Sequence, residues 1–203
     1  MTTITDTSPD HSNKLAFIIG RIFHPFLVII PTLFAVLSDL SLADAVKWSV
    51  LILGIVLTPG ILINTYIGLR YKKYVYQREI RGPLYLIGFL SGLACLVALI
   101  VLQVPRILIA GLTVLIVWLP AQMLINQYMT KISAHAGVIA GCLTGLLLIG
   151  KLNHPLLLAL VVLIAIITMW SRVTTKNHTI PQVIMGFLLG ALPVLIVFPM
   201  MLS

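Results

Sequence analysis

"HPLLLALVVLIAIITMWSRVTTKNHTIPQVIMGFLLGALPVLIVFPMML", residues 154–202, holds two apolar runs parted by the island SRVTTKNHTIPQ at 171–182. Each run is close to the ~20 residues that a helix needs to cross ~30 Å of hydrocarbon. The island gathers an arginine, a lysine and a histidine where ionisable groups near hydrocarbon are costly. Either it is a connector carrying basic residues at the membrane surface, or it handles phosphate there.

Outward from this stretch the pattern repeats. Apolar segments at 15–38, 46–69, 83–103, 105–128, 134–150, 154–170 and 181–202 predict an all-α, polytopic transmembrane bundle of six or seven membrane helices. With 60% hydrophobic and 9% charged residues among 203, the chain lies outside the balance of a soluble domain, and no room is left for one. Residues 1–14 read as a polar tail without the features of a signal peptide, and 15–203 as a single domain. The fifth and sixth segments are short for a span, so one of them can begin in a pocket at headgroup level. Pro59-Gly60 and Pro120 are expected to kink or break their helices. The small residues of "GVIAGCLTG" (137–145) and "GFLLGALP" (186–193) suit close helix contacts. Cys95 and Cys142 read as buried apolar residues.

Seven crossings place the N-terminus and the loops after the second, fourth and sixth helices on one side. Lys14, Arg70, Lys72, Lys73, Arg78, Arg81, Lys131, Arg172 and Lys176 fall there, against Lys47, Arg106 and Lys151 opposite. By the positive-inside rule that side is cytoplasmic, and the expected location is a bacterial inner membrane. Tyr66, Tyr71, Tyr74, Tyr76, Tyr85, Tyr128 and Trp170 gather mostly toward the same side and suit an interfacial aromatic belt. Arg21, within the first helix, requires a partner or a route to the interface.

Three polar islands share that side: "RYKKYVYQREIRGP" (70–83), "KISAH" (131–135) and the opening stretch. No carboxylate occurs after Glu79, so neither a two-metal site nor a glycosidase pair is expected. His135 and His178 alone make a poor zinc site. Cations around two histidines suit phosphoryl transfer instead. Arg and Lys hold phosphate oxygens, a neutral imidazole attacks phosphorus, and a protonated one supplies the departing oxygen with a proton. His24 and His154, each beside a proline, read as structural.

Ser171-Arg172, five residues, then His178 resembles the third signature of the type 2 phosphatidic acid phosphatases, the membrane branch of the PAP2 and haloperoxidase superfamily. "KISAH" is similar to the second signature, retaining Ser133 and His135, and the likeness covers roughly 70–190. The resemblance implies a PAP2-like core and a metal-independent phosphatase that needs no cofactor. In it His178 is phosphorylated, His135 acts as general acid and Arg172 binds phosphate, with Ser133, Lys131 and Ser171 beside it. Arg81, with Lys73 or Lys72, corresponds to the first signature. There the chain departs from the pattern, since seven residues separate Lys73 from Arg81 and Gly82 intervenes before Pro83. The family's acidic residue four positions after the attacking histidine is Gln182. Its amide is expected to accept from His178 and set the tautomer, with slower chemistry or another acceptor in compensation.

The expected partners are membrane lipids and a lipid phosphate or prenyl diphosphate substrate, not nucleic acid, with the oligomeric state open. A catalytically weak lipid-phosphate-binding scaffold is the rival reading, and a transporter a third.

Overall fold

The computed structural model describes residues 13–71 and 78–203, the side chains of 71–81 excepted. Within these bounds the protein is all-α: α1 Lys14–Ile22, α2 Pro25–Val36, α3 Leu42–Tyr71, α4 Arg78–Val101, α5 Arg106–Tyr128, α6 Ala134–Leu148, α7 Pro155–Thr174 and α8 Ile180–Leu202. Five of these, α3, α4, α5, α7 and α8, are long and apolar enough to cross a membrane, and the bent pair α1–α2 makes a sixth if it is one broken span. This is an integral membrane protein. Its outward faces are apolar, as Leu156, Leu160 and Leu163 on α7 and Leu188, Leu192 and Leu195 on α8 illustrate.

The segment expected as one helix over 15–38 is divided, with a bend of 44° between α1 and α2. The cause is local. A residue before proline is pushed toward extended backbone, and His24, ahead of Pro25, has φ −63° and ψ 140°. Its Nδ1 then accepts from the Phe26 N–H at 3.4 Å and caps the new helix. Pro59 and Pro120, expected to kink or break their helices, do not break them: α3 and α5 continue through them. In an apolar bundle a helix loses little by sacrificing one bond and much by exposing a broken end.

α6 has 15 residues, about 22 Å at 1.5 Å per residue, and falls short of a full crossing. It packs chiefly against α8, backbone on backbone. A Cβ at Gly190 would collide with the Gly137 carbonyl, and one at Gly186 with that of Ser133. Between helices in lipid, where no hydrophobic drive operates, such close approach supplies the packing energy.

The bundle has two polar ends. At one, Lys151 Nζ lies 2.6 Å from Asp39 Oδ1 and 2.8 Å from Ser38 Oγ, tying the α6–α7 and α2–α3 connections. At the other lie α1, the C-termini of α5 and α7, the N-termini of α2, α6 and α8, and Tyr85 near the start of α4. Cys95 is buried, Cys142 partly so, and both are free thiols.

Candidate functional site

The second polar end is built on two buried amides that sequence reasoning passed over, Gln122 and Asn126, and on the half-buried Tyr85. Asn126 Nδ2 donates to the Tyr85 hydroxyl at 3.0 Å, and Asn126 Oδ1 accepts from the Ile132 N–H at 2.8 Å. Gln122 Nε2 donates to the Ile132 carbonyl at 3.3 Å and to Tyr85 at 3.4 Å. Together they fix the loop between α5 and α6. The signal was present in the sequence: two amides spaced i, i+4 on an apolar helix require partners. Tyr85 therefore leaves the aromatic belt, whereas Tyr66, Tyr128 and Trp170 are exposed as an interfacial set would be.

Through this loop the second and third islands meet. The Lys131 carbonyl stands 3.2 Å from His178 Nδ1. Because a carbonyl only accepts, Nδ1 carries the hydrogen and a neutral ring keeps its lone pair on Nε2. The acceptor expected from Gln182 is thus a backbone oxygen. Gln182 is committed elsewhere: its Oε1 accepts from the Thr179 N–H at 3.1 Å, and its Nε2 donates to Thr130 Oγ1 at 3.1 Å. As the third residue of α8 it completes a capping box and faces the helix entrance instead of His178.

The spacing from Arg172 to His178 has its own physical basis. Beyond the end of α7 the Thr175 N–H donates to the Ser171 carbonyl at 3.0 Å and the Lys176 N–H to that of Val173 at 2.9 Å. Lys176 takes a left-handed φ of 54°, which turns the chain back. The His178 N–H then reaches the Arg172 carbonyl at 3.1 Å, closing a loop of five intervening residues. Asn177 Nδ2 holds it by donating to Thr175 Oγ1 at 2.6 Å.

Two of the expected phosphate ligands have roles in the fold. Ser171 Oγ donates to the Ala16 carbonyl at 2.6 Å, fully buried, and pins α1 to α7. Ser133 is equally buried: it caps α6 by accepting from the Ala136 N–H at 3.3 Å, and its own N–H donates to the Gln182 carbonyl at 3.1 Å. Capping was the structural account of this serine from sequence, and it holds.

Arg172 and His135 lie against α1. A Cβ at Gly20 would come within 2.8 Å of an Arg172 guanidinium nitrogen and of Ser171 Oγ, so α1 runs close against both side chains. His135 Nε2 is buried with no partner among the described residues. The His135 ring stands edge to face with His24, centroids 5.2 Å apart at 84°. His135 is the second residue of α6, outside the spanning segments. Burial holds its imidazole well below the usual histidine range, and the charges of Arg172, His24 and His178 reinforce the effect. His24, read as structural, thus belongs to the cluster as well. Arg21 is exposed and lies over the Phe17 ring, 4.7 Å from its centroid, on the outer side of α1.

Lys131, partly buried, contributes its backbone to this end. Lys72, Lys73 and the Arg81 side chain lie outside the described residues. Among the described residues no group of three or more His, Cys, Asp or Glu side chains is placed to hold a metal ion. Below the cluster an apolar cavity of about 220 Å³ runs between α2, α3, α5, α6 and α8, starting at Trp118 and Gly137 and reaching Phe198. Compared with protein-family models, curated proteins and solved structures, the chain matches none.

Proposed function

We propose that the protein is a lipid phosphate phosphatase of the PAP2 type, acting on a phosphatidate-like or isoprenoid (di)phosphate through a phosphohistidine on His178. One observation carries this reading: His135, His178 and Arg172 converge at one end of the bundle, with His178 Nδ1 held by a backbone carbonyl. That bond favours the tautomer whose Nε2 attacks phosphorus. As the N–P bond forms, the bond from phosphorus to the lipid oxygen breaks, and that oxygen takes a proton from His135. Arg172 offers donors to the phosphoryl oxygens. Water then cleaves the N–P bond and releases phosphate, with neutral His135 taking up the water's proton.

In the empty site His135 is neutral, so its acid role needs a reason. A phosphate dianion brings negative charge against it, favours the imidazolium, and so loads the acid as substrate binds. The apolar cavity, whose α6 lining begins at Gly137, two residues after His135, suits an acyl or prenyl tail. The excess of basic residues at this end supports a cytoplasmic location for the site and residence in a bacterial inner membrane.

The test is phosphate release by purified protein from a panel of phospholipids and prenyl diphosphates, beside His178→Ala and with vanadate. We expect release without added metal, abolished by the variant and inhibited by vanadate. Release that depends on a divalent metal, or that survives both, refutes the reading. A second reading, a lipid-phosphate binder without turnover, draws on Ser133 and Gln182, whose side chains are occupied by the fold. Substrate binding with no release would favour it.

A further inference from the structure

The amino-terminal segment carries a feature that no signature explains: His24 at the break between α1 and α2. Its Nδ1 is the acceptor of the Phe26 cap, so in the neutral ring the proton is on Nε2, a donor. His135 stands against it, ring centroids 5.2 Å apart, with a buried Nε2 that has no partner among the described residues. Arg172 is close enough to act electrostatically on both rings. Three helix N-termini also open on this end. His24 caps α2, Ser133 caps α6, and the Ser133 N–H to Gln182 carbonyl bond joins the starts of α6 and α8. A helix start presents N–H groups and partial positive charge to an anion.

We propose that His24 is a third imidazole of the phosphate site, whose Nε2–H donates to a phosphoryl oxygen alongside Arg172. A phosphate monoester dianion fits this set: one oxygen meets the protonated Nε2 of His135, loaded as the acid, and the others accept from His24 and Arg172. The contact arrives from the amino-terminal helices. It supplies a donor in a chain whose first signature is out of register. The inference rests on the phosphatase reading of the same site and adds a substrate-contacting residue to it. Among the described residues, the charged and titratable groups facing His24 are Arg172 from α7 and His135 from α6.

Orthovanadate and inorganic phosphate are the probes, with binding to full-length protein in detergent followed by the ligand-induced rise in melting temperature and by calorimetric titration. His24→Ser keeps a hydroxyl able to cap α2 but cannot reach across to His135, so it separates capping from donation. We expect His24→Ser to retain the unliganded melting temperature and to lose about tenfold to a hundredfold in vanadate affinity, the worth of a hydrogen bond to a charged group. His24→Asn, which keeps a short N–H donor, should recover part of the loss. His24→Ser binding as tightly as wild type overturns the inference and leaves the phosphatase reading standing. Wild type that binds neither probe and releases no phosphate removes both. If His24→Ser does not fold, His24→Asn decides: affinity at or above that of wild type with phosphate and vanadate alike refutes donation by the imidazole.

Discussion

Gln182 illustrates how a motif position can be kept by the fold for a different task. Its spacing from His178 points to an orienting partner, and four residues along a helix do share a face. Yet His178 precedes α8 and is not part of it, so helical spacing does not apply across the pair; the side chain turns back onto the Thr179 N–H. Substituting the family's acid, Gln182→Asp, is therefore expected to leave the pH profile of phosphate release unchanged. Gln182→Ala should cost roughly 1–2 kcal/mol in unfolding experiments through the lost cap and the lost bond to Thr130. A shifted profile in the aspartate variant would restore Gln182 to the chemistry. His135 yields a second expectation. Its folded-state proton affinity is depressed, so the unfolded chain binds protons more tightly below the ordinary histidine value of 6.5. Stability from this group is thus complete above about 6.5 and is lost as pH falls below it. Melting temperatures from pH 8 to 5 should show the decline, and His135→Asn should flatten it.

Helices were legible from apolar length, and most boundaries fall within a few residues of those read from the sequence. The break at His24 was not, because the same proline signal occurs at Pro59 and Pro120 without ending the helix. What distinguishes His24 is a side chain that caps the next helix and a ring packed against another segment, and the second contact is tertiary. The glycines of α6 and α8 were readable as packing residues, though their pairing was not. The site residues on the two signature loops were legible by type. Gln122 and Asn126 were hidden because their importance lies in a loop 10 and 6 residues downstream, and Tyr85 because its partners lie 37 and 41 residues away. Gly190→Val tests the pairing: with no space at the Gly137 carbonyl, α6 and α8 must separate, at roughly 2–3 kcal/mol. A melting temperature near that of wild type would show that the two backbones do not approach so closely.

Across the whole molecule, the phosphatase reading divides labour between a polar end and an apolar interior, and the division can be probed without touching the histidines. Gly111 lines the cavity and has open space at its Cβ position. Gly111→Leu should fill part of the cavity without forcing the helices apart. We expect KM for long-chain substrates to rise about tenfold, the scale of a few lost methylene contacts, while a short, water-soluble phosphate is hydrolysed as before. Equal effects on both would place the tail elsewhere. The backbone contact between α6 and α8 bears on the same division. Those helices wall the cavity with Gly137, Gly141, Gly190 and Val194, and their starts carry His135 and the anchor of the His178 loop. On the phosphatase reading, a guest that wedges the interior is expected to displace both imidazoles together, as one lever, because the two helices that carry them are joined backbone to backbone.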